Sequence, residues 1–254
     1  MDWTDEGIVL SARKHGESAA IVNLMTRAHG RHAGLVHGGA GRRARGVLQP
    51  GNEVAATWRA RLAEHLGTYT CELAWARAAS VLHDPDCLAG LTAACALTDA
   101  ALPEREPYVA VFANLVHLLQ QIEESDQWPA DYVRWEIALL RELGFGLDLG
   151  RCAVTGVREG LAYVSPNSGR AVTAAAAEPY RDRLLRLPAF VLAGDDEGAW
   201  DGSASDILAG LALAGHFLEN HVLGPQNAPL PAARLRLVDR FSRDTTISGD
   251  IVPS

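Results

Sequence analysis

The chain has 254 residues, 48% of them hydrophobic and 21% charged, with a formal charge of −8. That length suits one large domain or two modest ones, and the apolar content excludes a disordered chain. A net acidic total argues against a nucleic-acid binder taken whole, so the distribution of charge decides.

Residues 1–80 hold ten Lys and Arg against seven Asp and Glu, whereas residues 81–254 hold thirteen against twenty-four. A mildly basic N-terminal third followed by a strongly acidic remainder suggests two regions with different partners. The four cysteines, Cys71, Cys87, Cys95 and Cys152, form no CxxC pair, and no charged leader precedes an apolar run. A reducing cytoplasm is the expected compartment. No apolar run approaches the ~18 residues of a membrane span.

Residues 7–11, 19–26, 31–36, 53–62 and 67–73 are rich in β-formers or alternate in polarity, with turn signals between them. Five strands in so short a span predict a small closed barrel such as an OB-fold. In the fourth, Val54, Ala56, Trp58, Ala60 and Leu62 share one face and Arg59 and Arg61 point the other way. Trp58 is therefore expected in the core rather than on the surface as a base-stacking platform.

Between the third and fourth strands lies Val36-His37-Gly38-Gly39-Ala40-Gly41-Arg42-Arg43-Ala44-Arg45-Gly46, the densest positive charge in the chain. Glycine permits positive φ and close approach, and arginine offers a fork of donors that stays charged, a combination that suits phosphates. Solubility is the competing explanation for the same residues. The string Gly39-x-Gly41-x-x-Ala44 fits a dinucleotide fingerprint, but Gly46 and Pro50 interrupt the helix that fingerprint needs.

From Cys87 the period changes to 3.6. Leu88, Leu91, Ala94, Cys95 and Leu102 mark one helix; Tyr108, Val111, Phe112, Leu115, Leu118, Leu119 and Ile122 a second, with Pro107 in its first turn; and Tyr132, Trp135, Ile137, Leu140 and Leu143 a third, stopped by Gly144. A loop-rich stretch over residues 145–178 precedes helical segments at 179–187 and 205–223, and a partly helical tail follows Pro231. The turn His83-Asp84-Pro85 is the expected boundary between a barrel domain, 1–80, and a helical domain, 81–254.

No phosphate loop, nucleophile elbow or HExxH motif appears. Asp195-Asp196-Glu197 is read as a solvated tip, with a metal-dependent hydrolase as the remote alternative. His216 and His221 are five apart, the wrong spacing for paired ligands on a helix. Cys71, Cys87 and Cys95 sit among apolar neighbours and read as small hydrophobes.

The order of signals resembles the RecO recombination mediator family: Gly7-Ile8-Val9-Leu10, Gly16-Glu17-Ser18, Leu24-Met25-Thr26, Gly30, the basic turn, Leu48-Gln49-Pro50-Gly51-Asn52 and Trp58. It continues through Trp135-Glu136, Leu143-Gly144-Phe145, Leu147-Asp148, Cys152 and residues 163–169 to the C-terminal helices. The resemblance implies an α+β multidomain protein, an N-terminal OB-fold followed by an all-α domain. It implies a non-enzymatic DNA-repair mediator of the RecF pathway, cytoplasmic and nucleoid-associated. Such a protein binds single- and double-stranded DNA, anneals strands, associates with RecR and helps RecA displace single-strand-binding protein.

Many members of that family carry a zinc site of two CxxC pairs. The matching positions here are Cys152, Thr155, Thr173 and Ala176, so one ligand of four remains and no zinc or other cofactor is expected.

The expected DNA surface comprises Arg42, Arg43 and Arg45, supported by Arg59 and Arg61, with Arg13, Lys14, Arg27 and Arg31 at neighbouring strand ends. Its task would be to neutralise phosphates without reading sequence. For the acidic tail of single-strand-binding protein, the available cations are Arg134, Arg141, Arg181, Arg183 and Arg186. The alternative is a protein-interaction scaffold whose barrel does not itself bind DNA.

Overall fold

The structure, a computed structural model, describes residues 1–193, 200–201 and 203–249. It contains two compact units, Met1–Glu124 with Pro231–Arg234, and Ser125–Leu230 with the segment that begins at Leu235.

The first unit is built on a closed five-stranded barrel of order β1-β2-β3-β5-β4. Its strands are β1 (Asp2–His15), β2 (Ala19–Thr26), β3 (Gly30–Val36), β4 (Glu53–Arg59) and β5 (Thr68–Trp75). β1 is long enough to pair with β2 through its second half and β4 through its first, bending at an irregularity between Val9 and Ser11. Closure needs β3 to meet β5, and it does so in parallel at Leu35 and Thr68. The Leu35 N–H reinforces this by donating to the Gly67 carbonyl at 3.0 Å.

The alternation in β4 holds as far as Arg59: Val54, Ala56 and Trp58 are buried, and Ala55 and Arg59 are exposed. The strand stops there, and Leu62, expected on the core face, is 41% exposed in the following loop. The Trp58 indole N–H donates to the Leu66 carbonyl at 3.0 Å, which satisfies the one polar group of a buried ring. Tyr69 packs beside Trp58 and bonds His32 Nδ1 through its hydroxyl at 3.0 Å. Gly34 makes room for that tyrosine, since a Cβ there would overlap its ring.

The segment after β3 differs from the expected open loop. Gly38 takes φ +69 in a turn, and a Cβ on Gly39 would meet the Ala20 Cβ at 2.8 Å. These glycines serve turn geometry and packing. Arg42–Val47 then forms a short helix, α1. Asn52 Nδ2 closes it by donating to the Gly46 and Val47 carbonyls at 3.0 and 3.1 Å.

Helices α2 (Arg77–Ser80), α3 (Pro85–Ala101) and α4 (Val109–Glu124) complete this unit. Asp84 caps α3 by accepting from the N–H groups of Asp86 and Cys87. α3 packs on the barrel, with Gly51 against Leu91, where a Cβ would lie 2.5 Å from Leu91 Cδ2. The compact units part after residue 124 rather than near residue 83, because α3 packs on β1 and β2 and α4 packs on α2 and α3.

In the second unit α5 (Trp128–Glu142) lies against α8 (Ala204–Phe217). Gly210 faces Val133 at a spacing that a Cβ would reduce to 2.7 Å. Residues 145–178, read from sequence as irregular, contain β6 (Leu161–Val164) and β7 (Ala171–Thr173), followed by α6 (Ala174–Ala177). The stretch 179–187 is not an α-helix: a 3-10 turn, Glu178–Arg183, leads into β8 (Leu185–Arg186), which completes a sheet of order β7-β6-β8. The short α7 (Ala189–Leu192), a π-helical turn Leu218–Leu223, a 3-10 turn Gly224–Gln226 and α9 (Ala232–Gly249) account for the remaining elements.

His32 is 4% exposed, edge-on to both Trp58 and Trp3. Burial, and then the positive charge of Arg105, lower its pKa from 6.5 to about 4. The folded state thus resists protonation, so stability is full above about 6.5 and falls as pH drops toward about 4, by ~3 kcal/mol in all. Urea unfolding followed by tryptophan fluorescence across that range is expected to show this loss, and His32→Gln to remove its pH-dependent part.

Candidate nucleic-acid interface

α1 is apolar on one side only. Leu48 is buried, and Ala44 and Val47 are partly buried against Val9, Val22, Val54 and Trp58 of the barrel core. At 100° per residue, burying positions 44, 47 and 48 turns 42, 43 and 45 to solvent. Arg42, Arg43 and Arg45 are all exposed, and among the described residues none forms an ion pair.

Two clefts flank this helix. One, of about 410 Å³, is lined by Arg13 and Lys14 of β1, Glu17 of the following turn, and Arg45. The other, of about 910 Å³, is lined by His37, Arg42 and Arg43 on one side and by residues 68–73 of β5, Glu72 among them, on the other. Thr68 and Thr70 stand in this second cleft and escaped the sequence reading; their i, i+2 spacing on β5 is the signal that places them on one outward face.

The remaining expected cations divide. Arg59 and Arg61 are exposed, with Arg59 opposite Asp2 in the sheet register. Arg27 is exposed but pairs with Glu6 at 2.7 Å and lies over the Phe112 ring at 4.8 Å. Arg31 does not belong to an open surface. Its side chain is 17% exposed, pairs with Asp99 at 3.2 Å and Glu104 at 3.7 Å, and donates from Nε to the Leu102 carbonyl at 2.8 Å. Asp99 also accepts from Ser11 Oγ at 2.8 Å and from Asn23 Nδ2 at 3.1 Å, so Arg31 closes a network between β1, β2, β3 and α3.

Other aromatic and thiol groups are equally committed. Trp3 stacks on His29 at 3.9 Å and on Trp58 at 5.7 Å. Burial pushes the Cys71 and Cys95 thiols up to about 12 and Cys87 to about 11, which fits inert packing.

In the second unit, Arg134 is turned inward, pairing with Asp131 at 2.7 Å and donating to the Phe190 carbonyl at 3.1 Å. Arg186 pairs with Asp206 at 2.6 Å. Arg141 is 70% exposed beside Glu142 at 3.5 Å, Arg183 is exposed, and Arg181 lies over Tyr163 at 5.9 Å. Asp195-Asp196-Glu197 falls outside the described residues.

The four positions aligned with a zinc site do not make a metal-ligand set. Cys152 is buried and accepts from the Thr173 N–H at 3.4 Å, while Thr173 Oγ1 accepts from the Ala176 N–H at 3.4 Å as the cap of α6. Burial acts to raise the Cys152 thiol, but hydrogen bonds from the Thr155 side chain and from the backbone of Thr155, Thr173 and Val154 outweigh it and bring it to about 6. One sulfur without a second thiolate or imidazole cannot hold a tetrahedral zinc. Among the described residues no group of three or more His, Cys, Asp and Glu could hold a metal ion.

A closed β-barrel of this strand order, with cationic clefts beside the helix that joins its third and fourth strands, defines an OB-fold module. Comparison with known proteins makes the assignment particular: residues 1–74 match the family described as recombination protein O N terminal, and 82–230 recombination protein O C terminal. The chain is 56% identical to the DNA repair protein RecO of Rhodospirillum centenum over 98% of each chain. It is 50% identical to that of Rhodospirillum rubrum, over 96% of this chain and 97% of the relative, and 50% identical to that of Phenylobacterium zucineum, over 95% and 98%. The chain belongs to the RecO family of DNA repair proteins. Among the described residues no helix is long and apolar enough to cross a membrane.

Because Arg31 is consumed by the Asp99 network, Arg31→Met is expected to lower the stability of the first unit by about 1–3 kcal/mol, since the half-buried Asp99 keeps Ser11 and Asn23 but loses its cation. Its effect on the salt dependence of DNA binding is expected to be nil. Thermal unfolding and a salt titration of oligonucleotide affinity check the two halves.

Proposed function

We propose that this protein is a non-enzymatic mediator of recombinational repair that binds single- and double-stranded DNA through the barrel and anneals complementary strands. In this reading it acts with RecR, in the cytoplasm on the nucleoid, to help load RecA onto single strands coated by single-strand-binding protein. The observation that carries it is the set of exposed arginines on α1, none of which forms an ion pair among the described residues while other arginines do. Such unmatched charge attracts counterions that a phosphate chain displaces.

The acidic tail of single-strand-binding protein would meet Arg141, Arg181 and Arg183, since Arg134 and Arg186 are held by Asp131 and Asp206. The protein would carry no structural zinc, because Thr155, Thr173 and Ala176 supply no thiolate or imidazole.

Replacing Arg42, Arg43 and Arg45 together by alanine is expected to weaken single-strand binding and to flatten the slope of log K against log salt by about 2, from roughly 0.7 per lost contact. The melting temperature should hold, since all three side chains are in water. Unchanged affinity would favour a scaffold whose barrel meets protein instead. Metal analysis of the purified protein, refolded with excess zinc and then dialysed, is expected to find zinc well below one atom per chain.

A further inference from the structure

We propose that the two clefts beside α1 are separate strand sites, each holding the sugar-phosphate chain of one single strand, so that the helix is a ridge between two strands about to pair. The inference rests on the DNA-binding reading above and specifies how that surface is divided.

No residue is shared between the linings of the two clefts. The helix supplies Arg45 and Leu48 to one and Arg42, Arg43, Ala44 and Val47 to the other. Helix geometry requires this division: Arg43 and Arg45 stand about 200° apart around the axis, which puts them on opposite flanks, with Arg42 at the crest. A strand seated against Arg45 reaches Arg13 and Lys14 of β1, and one seated against Arg43 runs along Thr68 and Thr70 of β5. Each cleft has a single carboxylate, Glu17 in the first and Glu72 in the second, and more than one cation to outweigh it.

The dimensions suit pairing. A helix with side chains is about 10–12 Å across, and the major groove of a duplex separates its backbones by about 12 Å. Strands on either flank are thus held near the spacing they adopt once paired, with the arginines of the ridge screening one backbone from the other.

The test uses the full chain and labelled oligothymidylates of about four nucleotides, near the smallest site size of an OB-fold, with complementary strands of about twenty nucleotides for annealing. Sedimentation at low salt is expected to show two strands per wild-type chain, and one per chain for both R42A/R43A and R13A/K14A/R45A. First-strand affinity should fall about two- to threefold in each variant, as when one of two similar sites is lost. Annealing of the complementary strands should fall tenfold or more. R42K/R43K, which keeps the charge, should still hold two strands.

A wild-type chain that saturates with one strand, or annealing that falls only as far as first-strand affinity does, would overturn the two-site arrangement while leaving DNA binding intact. Loss of the second strand in R42K/R43K would overturn the phosphate-neutralising role. If neither alanine variant alters affinity, the DNA-binding reading fails with it.

Discussion

The packing of one short helix on the barrel core, through Ala44, Val47 and the Leu48 that follows it, is the constraint on which the surface chemistry depends. Six residues cannot sustain a helix in water, because nucleation costs more than one turn of hydrogen bonds returns. α1 exists because Leu48, Val47 and Ala44 pack on the barrel core and Asn52 ties off its last carbonyls. A buried leucine is worth roughly 2 kcal/mol, and that packing fixes the rotation of the helix about its axis. Once the rotation is fixed, Arg42, Arg43 and Arg45 have nowhere to go but water. The positive surface is therefore a consequence of core packing.

The same logic separates exposed, unpaired cations from structural ones. Arg31 and Arg77 are the anchors of the first unit: Arg77 bridges Glu53 and Glu123 at 2.7 Å each, and Arg31 joins three strands to α3 through Asp99. Their charges are cancelled where they stand, and the network they close was built at the cost of desolvating its members. Arg42, Arg43, Arg45, Arg13 and Lys14 are the complement. They keep their hydration and long-range field, which is what a polyanion senses before contact.

The small sheet of the second unit shows how hydrogen bonds and strand pairing order a loop-rich segment. Cys152 retains a nest of hydrogen-bond donors, and Thr173 now both donates to that sulfur through its N–H and caps α6 through its hydroxyl. β6, β7 and β8 join the flanking segments, with Val164 and Ala171 fully buried. Strand pairing and apolar contacts hold the segment together.

The sequence by itself determined the five strands, the inward face of Trp58, the helical stripes of residues 87–143 and the concentration of arginines after β3, because periods of 2 and 3.6 and uncompensated charge are local properties of the chain. It could not determine that Gly38 and Gly39 serve a turn against Ala20, that 42–47 is helical, or that 185–186 is a strand. Each of those depends on a partner distant in sequence: the barrel mouth, the β1–β2 hairpin, β6. The same reason explains the arginines. Arg31 and Arg43 are indistinguishable as letters, and only the tertiary structure, by setting Asp99 beside one and open water beside the other, decided which charge is spent on the fold and which stands free in solvent.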